Sequence, residues 1–388
     1  MDRHPLSLID AESMLTDEQS SLTSSLRSML DAKVRPHLMQ WYEDGDVPVR
    51  DLAMLFGGMG VLGMHLDGYG CAGADATTYG LACMELEAAD SGIRSLVSVQ
   101  GSLAMYAIHE FGSEDQKQQW LPGMAAGHLI GCFGLSEADA GSDPGSMRTW
   151  AKRDGDDWLL NGSKMWITNG HVADVAIVWA QTDEGIRGFV VPTNTAGFSA
   201  TAIKHKMSLR ASATSELTFD NLRLPADAAL PGVIGLRGPL SCLSQARFGI
   251  IFGVVGAARD CLETAIAYAG NREQFDQPIA GFQLTQRKLA EMTAAVANSF
   301  LLAMRLGSVK DAGNIRPEQI SLGKFANVSS ALDVARQART ILGGNGISGE
   351  YPIMRHMANL ESVLTYEGTH EVHTLVVGQA VTGIQAFR

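Results

Sequence analysis

Three short segments combine side chains that could do chemistry with places where the backbone can approach a ligand. Residues 132–143 end an apolar strand in a loop of small residues, hydroxyls and acids, and such loops offer backbone amides to a ligand. Residues 166–170 place an indole and a hydroxyl beside a turn, and residues 366–370 place the carboxylate of Glu367 before a glycine. Each segment alone is more often structural than catalytic, but the three together indicate a functional site.

A stripe of polar side chains crosses an otherwise apolar helical stretch. Its members recur at i, i+4, i+7, i+8 and i+11, among Leu86, Ile93, Leu96 and Val97, and are Glu87, Ser91, Arg94, Ser95 and Ser98. Periodicity alone favours a helix whose polar face is exposed to solvent. The alternative is a pocket that these side chains line.

Other motifs carry less weight. The GxGxxG pattern at Gly58, Gly60 and Gly63 follows a helical stretch, whereas a dinucleotide site needs a strand before it and a βαβ unit around it; we expect a turn between helices. His370 and His373 have no further ligand-type cluster nearby, so we predict no metal site. Five scattered cysteines without a CxxC pair predict reduced thiols.

The elements that must position these segments change type twice along the chain. In residues 1–130, Thr16 with Gln19 and Ser113 with Gln116 form capping boxes before helical stretches. The dipeptide Pro122-Gly123 is expected to end the second of these helices. We predict an all-α N-terminal domain.

Residues 131–235 are predicted to form a β domain and residues 236–388 an antiparallel helical bundle. The dipeptide Asn161-Gly162 between apolar runs predicts a hairpin turn. The β-branched runs 175–180 and 186–191 are joined by a short polar turn. Helical periodicity then returns in a stripe of Leu289, Met292, Val296, Phe300 and Ala303.

The three segments, together with residues 272–275 and 342–346, resemble the acyl-CoA dehydrogenase family in sequence, order and separation, from about residue 14 onward. The resemblance implies a mainly α fold with a β domain: an N-terminal helical domain, a middle β domain and a C-terminal four-helix bundle. It also implies FAD as cofactor, electron-transfer flavoprotein as electron acceptor, and a homotetramer that is a dimer of dimers.

The resemblance also implies which residues hold FAD. From the first two segments and the C-terminal one, the flavin would be lined by Phe133, Leu135, Ser136, Gly141, Ser142, Trp166, Ile167, Thr168, Thr369 and Glu371. The FAD of a neighbouring subunit would be held by Arg272, Phe275, Gln283, Thr340, Gly343 and Gly344. Two positions depart from the family pattern, with Ser136-Glu137-Ala138 for Thr-Glu-Pro and Thr340 for Asp or Gln; Ser136 keeps a hydroxyl donor, so we expect flavin binding to survive.

Glu367 occupies the position of the family's catalytic base, which would remove an α-proton of the acyl thioester. Residues 87–100, 242–249 and 380–387 are most similar to glutaryl-CoA dehydrogenases. There the arginine of the stripe binds the distal carboxylate, a role that suits the forked guanidinium. The implied substrate-binding residues are Arg94, Ser95, Ser98, Glu87, Ser142, Arg247 (near the CoA end), Tyr366 and Gly368.

We therefore predict oxidative decarboxylation of glutaryl-CoA to crotonyl-CoA and CO2. One alternative is a dehydrogenase of another acidic acyl thioester, carried on CoA or on an acyl carrier protein. A second alternative is a non-catalytic scaffold of the same fold, against which the intact Glu367 and flavin motifs argue.

Composition limits the partners. A formal net charge of −12 argues against nucleic-acid binding, which requires basic residues to neutralise phosphates. The apolar run 248–258 is about half the length of a membrane span and is bracketed by Arg247 and Arg259. With no apolar signal core at the N-terminus, we expect a cytoplasmic protein that does not bind a membrane.

Overall fold

The computed structural model describes residues 5–386, which leaves Phe387 of the predicted segment 380–387 outside the described part. The N-terminal part is helical, and both predicted capping boxes are present: Thr16 with Gln19 before α1, and Ser113 with Gln116 before α7. Its helices are α1 Asp17–Lys33, α2 Arg35–Asp44, α3 Val49–Gly58, α4 Ala76–Ala89, α5 Ser91–Ser98, a π-helical segment Val99–Met105, α6 Tyr106–Phe111 and α7 Glu114–Ala125.

Two local expectations have different outcomes. The predicted stop at Pro122 is wrong: α7 continues to Ala125 with Pro122 inside it, because a proline near a helix end removes only one hydrogen bond. Gly58 is the last residue of α3, and Gly60 and Gly63 follow it in a turn with φ of 70° and 64°. The expectation of a turn between helices is confirmed.

The middle of the chain forms one seven-stranded sheet, with strand order β1-β4-β2-β3-β7-β6 and β5 paired to β4. β1 is parallel to β4, and the hairpin between β4 and β5 closes at Thr182 and Gly185 as expected. The strands are β1 Gly131–Gly134, β2 Trp150–Asp154, β3 Asp157–Thr168, β4 Val175–Thr182, β5 Gly185–Pro192, β6 Phe198–Ala202 and β7 Thr214–Leu224.

The predicted hairpin at Asn161-Gly162 is wrong. Both residues lie inside β3, where the register against β7 shifts between Leu160 and Gly162. Gly162 has φ of 137°, and a Cβ there would lie 2.6 Å from the hydroxyl of Thr149. The Asn161 side chain accepts the Asn221 N–H across the sheet at 2.8 Å. The dipeptide thus makes a β-bulge in a long strand.

The C-terminal part is a helical bundle, and the predicted stripe on α9 is buried at Met292, Val296, Phe300 and Ala303. The mainly α fold with a β domain is confirmed. The helices are α8 Arg237–Asn271, α9 Gln283–Asp311, α10 Pro317–Ile341, α11 Ile353–Thr365 and α12 His370–Thr382, with a small hairpin of β8 Glu273–Gln274 and β9 Gln277–Pro278 between α8 and α9.

Helix α4 joins the N-terminal part to the bundle. All of its residues except Thr78 are buried. It meets α8 at glycines: a Cβ at Gly256 would lie 1.8 Å from the carbonyl oxygen of Met84, and a Cβ at Gly253 would lie 2.0 Å from Oε2 of Glu87. The two helices therefore approach to backbone contact, which sets the depth of Glu87.

Helices α8 and α9 are long and apolar enough, by length and composition alone, to cross a membrane. Their most apolar windows are 67% and 50% buried inside the protein. Burial in the bundle core accounts for this composition, as in other large helical domains.

Candidate active site

Glu367 lies on a turn of four residues, 366–369, between α11 and α12. The N–H of Tyr366 closes α11 on Ser362, and the hydroxyl of Thr369 caps α12 by accepting the N–H of Val372 at 3.2 Å. Between them, Glu367 and Gly368 have φ of 53° and 98°. Left-handed backbone is costly for a non-glycine residue and is concentrated at functional sites. The turn thus projects the Glu367 carboxyl out of the helical path.

Two cations hold the carbonyl groups of this turn. Nε of Arg247, on α8, donates to the carbonyl oxygen of Glu367 at 2.5 Å. Nζ of Lys324, on α10, donates to the carbonyl oxygens of Tyr366 and Gly368, the latter at 2.7 Å. Three successive carbonyls of the turn therefore accept a charge-assisted hydrogen bond.

Sequence reasoning missed Lys324. Its side chain is 1% exposed, and Ile320 and Val328, one turn before and after it on α10, are core residues. A lysine within a buried stripe is the one signal that could have drawn attention to it, because lysine is almost never fully buried unless it is paired.

A buried ion pair lies beside the turn. Arg94 Nε donates to Glu87 Oε2 at 2.8 Å, with both side chains fully buried. Arg94 Nη2 donates to the hydroxyl of Tyr366, and its guanidinium lies 5.7 Å from the centre of that ring. The pair connects the polar stripe directly to the residue that precedes Glu367.

The interpretation of this stripe as a solvent-exposed face is wrong. The helix is not continuous: the Asp90 side chain accepts the Gly92 N–H at 2.6 Å and starts α5 in a new direction. Because of this break, the stripe faces inward. Its five members are at most 6% exposed, namely Glu87, Ser91, Arg94, Ser95 and Ser98.

Several buried polar atoms at this site have no hydrogen-bond partner among residues 5–386. They include Nη1 of Arg94, Oε1 of Glu87 and Oε2 of Glu367, with the hydroxyls of Ser91 and Ser98. Buried polar groups in folded proteins are nearly always satisfied, so an unpaired cluster points to an absent ligand.

The charges around Glu367 favour an anionic ligand. The basic side chains of Arg94, Arg247 and Lys324 outnumber the carboxyls of Glu87 and Glu367, so the site has a formal excess of one positive charge. Burial raises the pKa of Glu367 above its ordinary value, and the three cations oppose that rise. The carboxyl is therefore a stronger base than an exposed glutamate.

The predicted flavin segments come together at the end of β3. The N–H of Met165 donates to the carbonyl oxygen of Ser136 at 2.9 Å, joining the loop after β1 to the start of the Trp166–Thr168 segment. Of the loop's predicted residues, Phe133 and Leu135 are nearly buried, whereas Gly141 and Ser142 are exposed.

A second buried lysine, also missed from the sequence, fixes this loop. Nζ of Lys164 donates to the carbonyl oxygen of Leu135 at 3.0 Å and to Glu137 Oε1 at 2.8 Å. The Glu137 carboxylate also accepts the backbone N–H groups of Arg148 and Thr149. Glu137 therefore anchors the loop, in which Ser136 is half-buried and Ser142 is exposed.

Trp166 marks the surface that a ligand would cover. Its backbone is left-handed, with φ of 65°, at a second shift in the β3–β7 register, and its indole is 63% exposed, whereas Ile167 beside it is buried. A Cβ at Gly141 would meet nothing within 4 Å. A strained backbone that holds an exposed indole beside an open loop fits a site for a flat aromatic ligand.

The remaining predicted cofactor residues lie elsewhere. They surround the β8–β9 hairpin and the end of α10, where Asn345 donates to the hydroxyl of Tyr268 at 3.0 Å. At 1.5 Å per residue along α8, Arg272 lies about 37 Å from Arg247. This distal group comprises Arg272, Phe275, Gln283, Thr340, Gly343 and Gly344; the Thr340 hydroxyl is used within α10, donating to the carbonyl oxygen of Arg336 at 2.9 Å.

Two further predicted residues make no described contact with the site formed by Glu87, Arg94 and Glu367. Ser142 is exposed and makes no hydrogen bond to residues 5–386, and Glu371 is exposed in the first turn of α12. Their predicted roles toward substrate and flavin stay predictions.

Comparison with known proteins agrees with this architecture. The acyl-CoA dehydrogenase N-terminal, middle and C-terminal domains match residues 16–128, 132–222 and 234–382. The chain is 35% identical over 373 residues to the human mitochondrial short-chain specific acyl-CoA dehydrogenase, covering 94% of this chain and 90% of that protein.

Two solved structures from Mycobacterium smegmatis superpose over the whole of both chains. One is a glutaryl-CoA dehydrogenase, 65% identical with a TM-score of 0.98. The other is a glutaryl-CoA dehydrogenase in complex with FADH2, 59% identical with a TM-score of 0.98.

Proposed function

The chain belongs to the acyl-CoA dehydrogenase family of FAD-dependent enzymes, and we propose that it oxidises glutaryl-CoA and decarboxylates the product to crotonyl-CoA and CO2. The observation that carries the choice of substrate is the buried Arg94, whose Nη1 is unpaired in a site with one excess positive charge. Similarity to the two glutaryl-CoA dehydrogenases supports the same choice.

In the dehydrogenation step, the side chain and the backbone of Glu367 have separate roles. The Glu367 carboxylate takes the α-proton of the thioester, and the C–H electron pair moves toward the thioester carbonyl. The backbone N–H of Glu367 makes no hydrogen bond to residues 5–386 and can donate to the oxygen that becomes negative. When bound, FAD would supply the acceptor for the β-hydrogen, which leaves the substrate as hydride.

Decarboxylation uses the same groups a second time. Arg94 binds the distal carboxylate of the substrate, which competes with Glu87 for the guanidinium. The carboxylate stays bound until the bond between it and the γ-carbon breaks and CO2 leaves. The electron pair of that bond delocalises toward the thioester, and the protonated Glu367 returns its proton to the γ-carbon. Tyr366, hydrogen-bonded to Arg94, keeps the guanidinium beside the base during both steps.

The residues of the β domain fit FAD, and the distal group supports a shared site. Trp166 and the loop after β1 would lie against the flavin. Because Arg272 is about 37 Å along α8 from Arg247, we propose that the distal group serves the FAD of a neighbouring copy in a homotetramer. Electron-transfer flavoprotein as acceptor is part of the same proposal.

The substrate is tested by the ratio of kcat/KM for glutaryl-CoA to that for butyryl-CoA in wild type and in Arg94→Gln. Loss of one partner of a buried charge pair costs about 2–5 kcal/mol, so we expect the ratio to fall roughly 30- to several-thousand-fold. Mass analysis of the products separates crotonyl-CoA with CO2 from glutaconyl-CoA.

Arg259→Gln is the matched control. Arg259 is 3% exposed and donates to both oxygens of the buried Glu85 at 2.8 Å, so its loss should lower stability and leave the ratio unchanged. A wild-type protein that prefers butyryl-CoA would disprove the glutaryl assignment. An unchanged ratio in Arg94→Gln would show that Arg94 does not bind the carboxylate.

A further inference from the structure

Lys324 also holds the backbone around the base, because the two carbonyl groups that accept its hydrogen bonds lie before and after Glu367 in the chain. The carbonyl oxygen of Tyr366 belongs to the peptide group that precedes Glu367, and the carbonyl oxygen of Gly368 belongs to the peptide group between Gly368 and Thr369. Lys324 comes from the middle of α10, so one rigid helix holds both sides of the turn. Burial lowers the pKa of Lys324 to about 7, and the nearby Glu367 carboxyl opposes that shift.

The bond to Tyr366 also sets the direction of an N–H group. In a trans peptide the C=O and the following N–H point in opposite directions. Because the carbonyl of Tyr366 points to Lys324, the N–H of Glu367 points away from it, and it makes no hydrogen bond to residues 5–386. A cation on the carbonyl also polarises the peptide and strengthens its N–H as a donor.

We propose that Lys324 is a positioning residue: it aims and polarises the Tyr366–Glu367 peptide so that the Glu367 N–H stabilises the negative charge that develops on the thioester oxygen. This inference rests on the proposed acyl-CoA dehydrogenation but not on the identity of the acyl group. Arg247 completes the arrangement by holding the carbonyl of Glu367 itself.

The experiment compares Lys324→Met with wild type as FAD-loaded protein, using two measurements. The first is the C=O stretching frequency of crotonyl-CoA, labelled with ¹³C at the thioester carbon and bound to the oxidised enzyme, by isotope-edited Raman difference. The second is the anaerobic rate of flavin reduction by butyryl-CoA. Rates are compared as full pH profiles, because loss of the cation also raises the pKa of Glu367 and because Lys324 itself loses its proton as pH rises through about 7.

We expect the bound carbonyl band of Lys324→Met to move back toward that of free crotonyl-CoA. The maximal rate of the pH profile should fall on the order of 10²-fold, the lower end of the loss when one oxyanion donor is removed. Lys206→Met is the matched control. Lys206 is half-buried and donates to the carbonyls of Leu209 and Ser212 at 2.8 and 2.6 Å, so its variant should keep both the band and the rate.

A Lys324→Met protein with a wild-type band and rate overturns the proposal, and so does a slower protein whose band does not move. If Lys324→Met does not fold, Lys324→Gln, which keeps hydrogen-bond donors but loses the charge, is judged by the same two measurements. If none of the acyl-CoA substrates reduces the flavin of the wild-type protein, the proposed function is overturned, and this inference with it.

Discussion

The strength of Glu367 as a base depends on a balance between burial and charge. Burial raises the pKa of its carboxyl, and Arg94, Lys324 and Arg247 oppose that rise, while Glu87 adds to it. Because burial disfavours its charged form, the ionised carboxylate takes up a proton more readily than an exposed glutamate does. The same carboxyl can therefore serve as base in dehydrogenation and, in the proposed decarboxylation, as the acid that returns the proton.

Glu367→Gln removes the proton acceptor and keeps the size of the side chain. We expect anaerobic flavin reduction by acyl-CoA, measured by stopped flow, to slow about 10²–10⁴-fold. Glu361→Gln, at an exposed glutamate of α11 that pairs with Arg336, should behave as wild type. A Glu367→Gln protein that reduces flavin at the wild-type rate would assign the base to another group.

The pKa of Glu367 also predicts how stability varies with pH. Because its pKa is raised in the folded state above the ordinary 4.5, its contribution to stability is complete below that value and is lost as pH rises through the folded pKa. Glu367→Gln cannot ionise. We expect it to unfold at a higher temperature than wild type at neutral pH, and the two curves to converge in acid; a lower unfolding temperature at neutral pH would contradict the raised pKa.

Helix α8 contacts both the turn that carries Glu367 and the helix that carries Glu87. It supplies Arg247 to the turn, and it packs on α4 through Gly253 and Gly256. Because Glu87 lies directly over Gly253, the packing of two helices sets the position of the partner of Arg94. A substitution at this helix contact should therefore shift Glu87 and alter substrate preference, although it replaces no polar residue.

Gly253→Ala tests this coupling. Its Cβ would lie 2.0 Å from Glu87 Oε2, and overpacking of this kind costs about 1–3 kcal/mol. We expect a lower unfolding temperature and a smaller preference for glutaryl-CoA over butyryl-CoA. Gly270→Ala, in the same helix but with nothing within 4 Å of the new Cβ, should gain up to about 1 kcal/mol and keep its preference. Equal behaviour of the two variants would show that α8 does not set the Glu87 position.

At the scale of the whole molecule, one chain exposes large apolar side chains around the distal group. Phe275 is 89% exposed, with Leu284 at 75% and Ile347 at 68%. Apolar side chains clustered beside a ligand-type arginine are typical of an interface between subunits. A neighbouring copy that covers this end would complete both the interface and the cofactor site.

Arg272→Gln tests the shared site. We expect wild type to bind one FAD per subunit and to have a mass in light scattering well above the 41.4 kDa of one chain. The variant should keep that mass and lose FAD affinity, because a charge-assisted contact contributes about 1.5–3 kcal/mol. Arg223→Gln, at an exposed arginine of the β domain, is the control, and unchanged FAD affinity in Arg272→Gln would place the distal group outside the cofactor site.

Local signals in the sequence predicted much of the architecture. The capping boxes at Thr16 and Ser113, the turn at residues 182–185 and the stripe on α9 are present as expected. Each depends on residues within a few positions of one another, so the sequence alone determines it. The five motif segments, taken together, likewise identified the family without any tertiary information.

Contacts between distant residues decided the rest. Asn161-Gly162 became a bulge because β7 pairs alongside it, and the stripe from Glu87 to Ser98 turned inward because Asp90 breaks the helix and Arg355 and Asn359 hold its carboxylate from α11. Lys324 reaches the turn from 42 residues away. Periodicity reports which residues share a face, but only packing decides what that face meets, because burial is a property of the assembled elements.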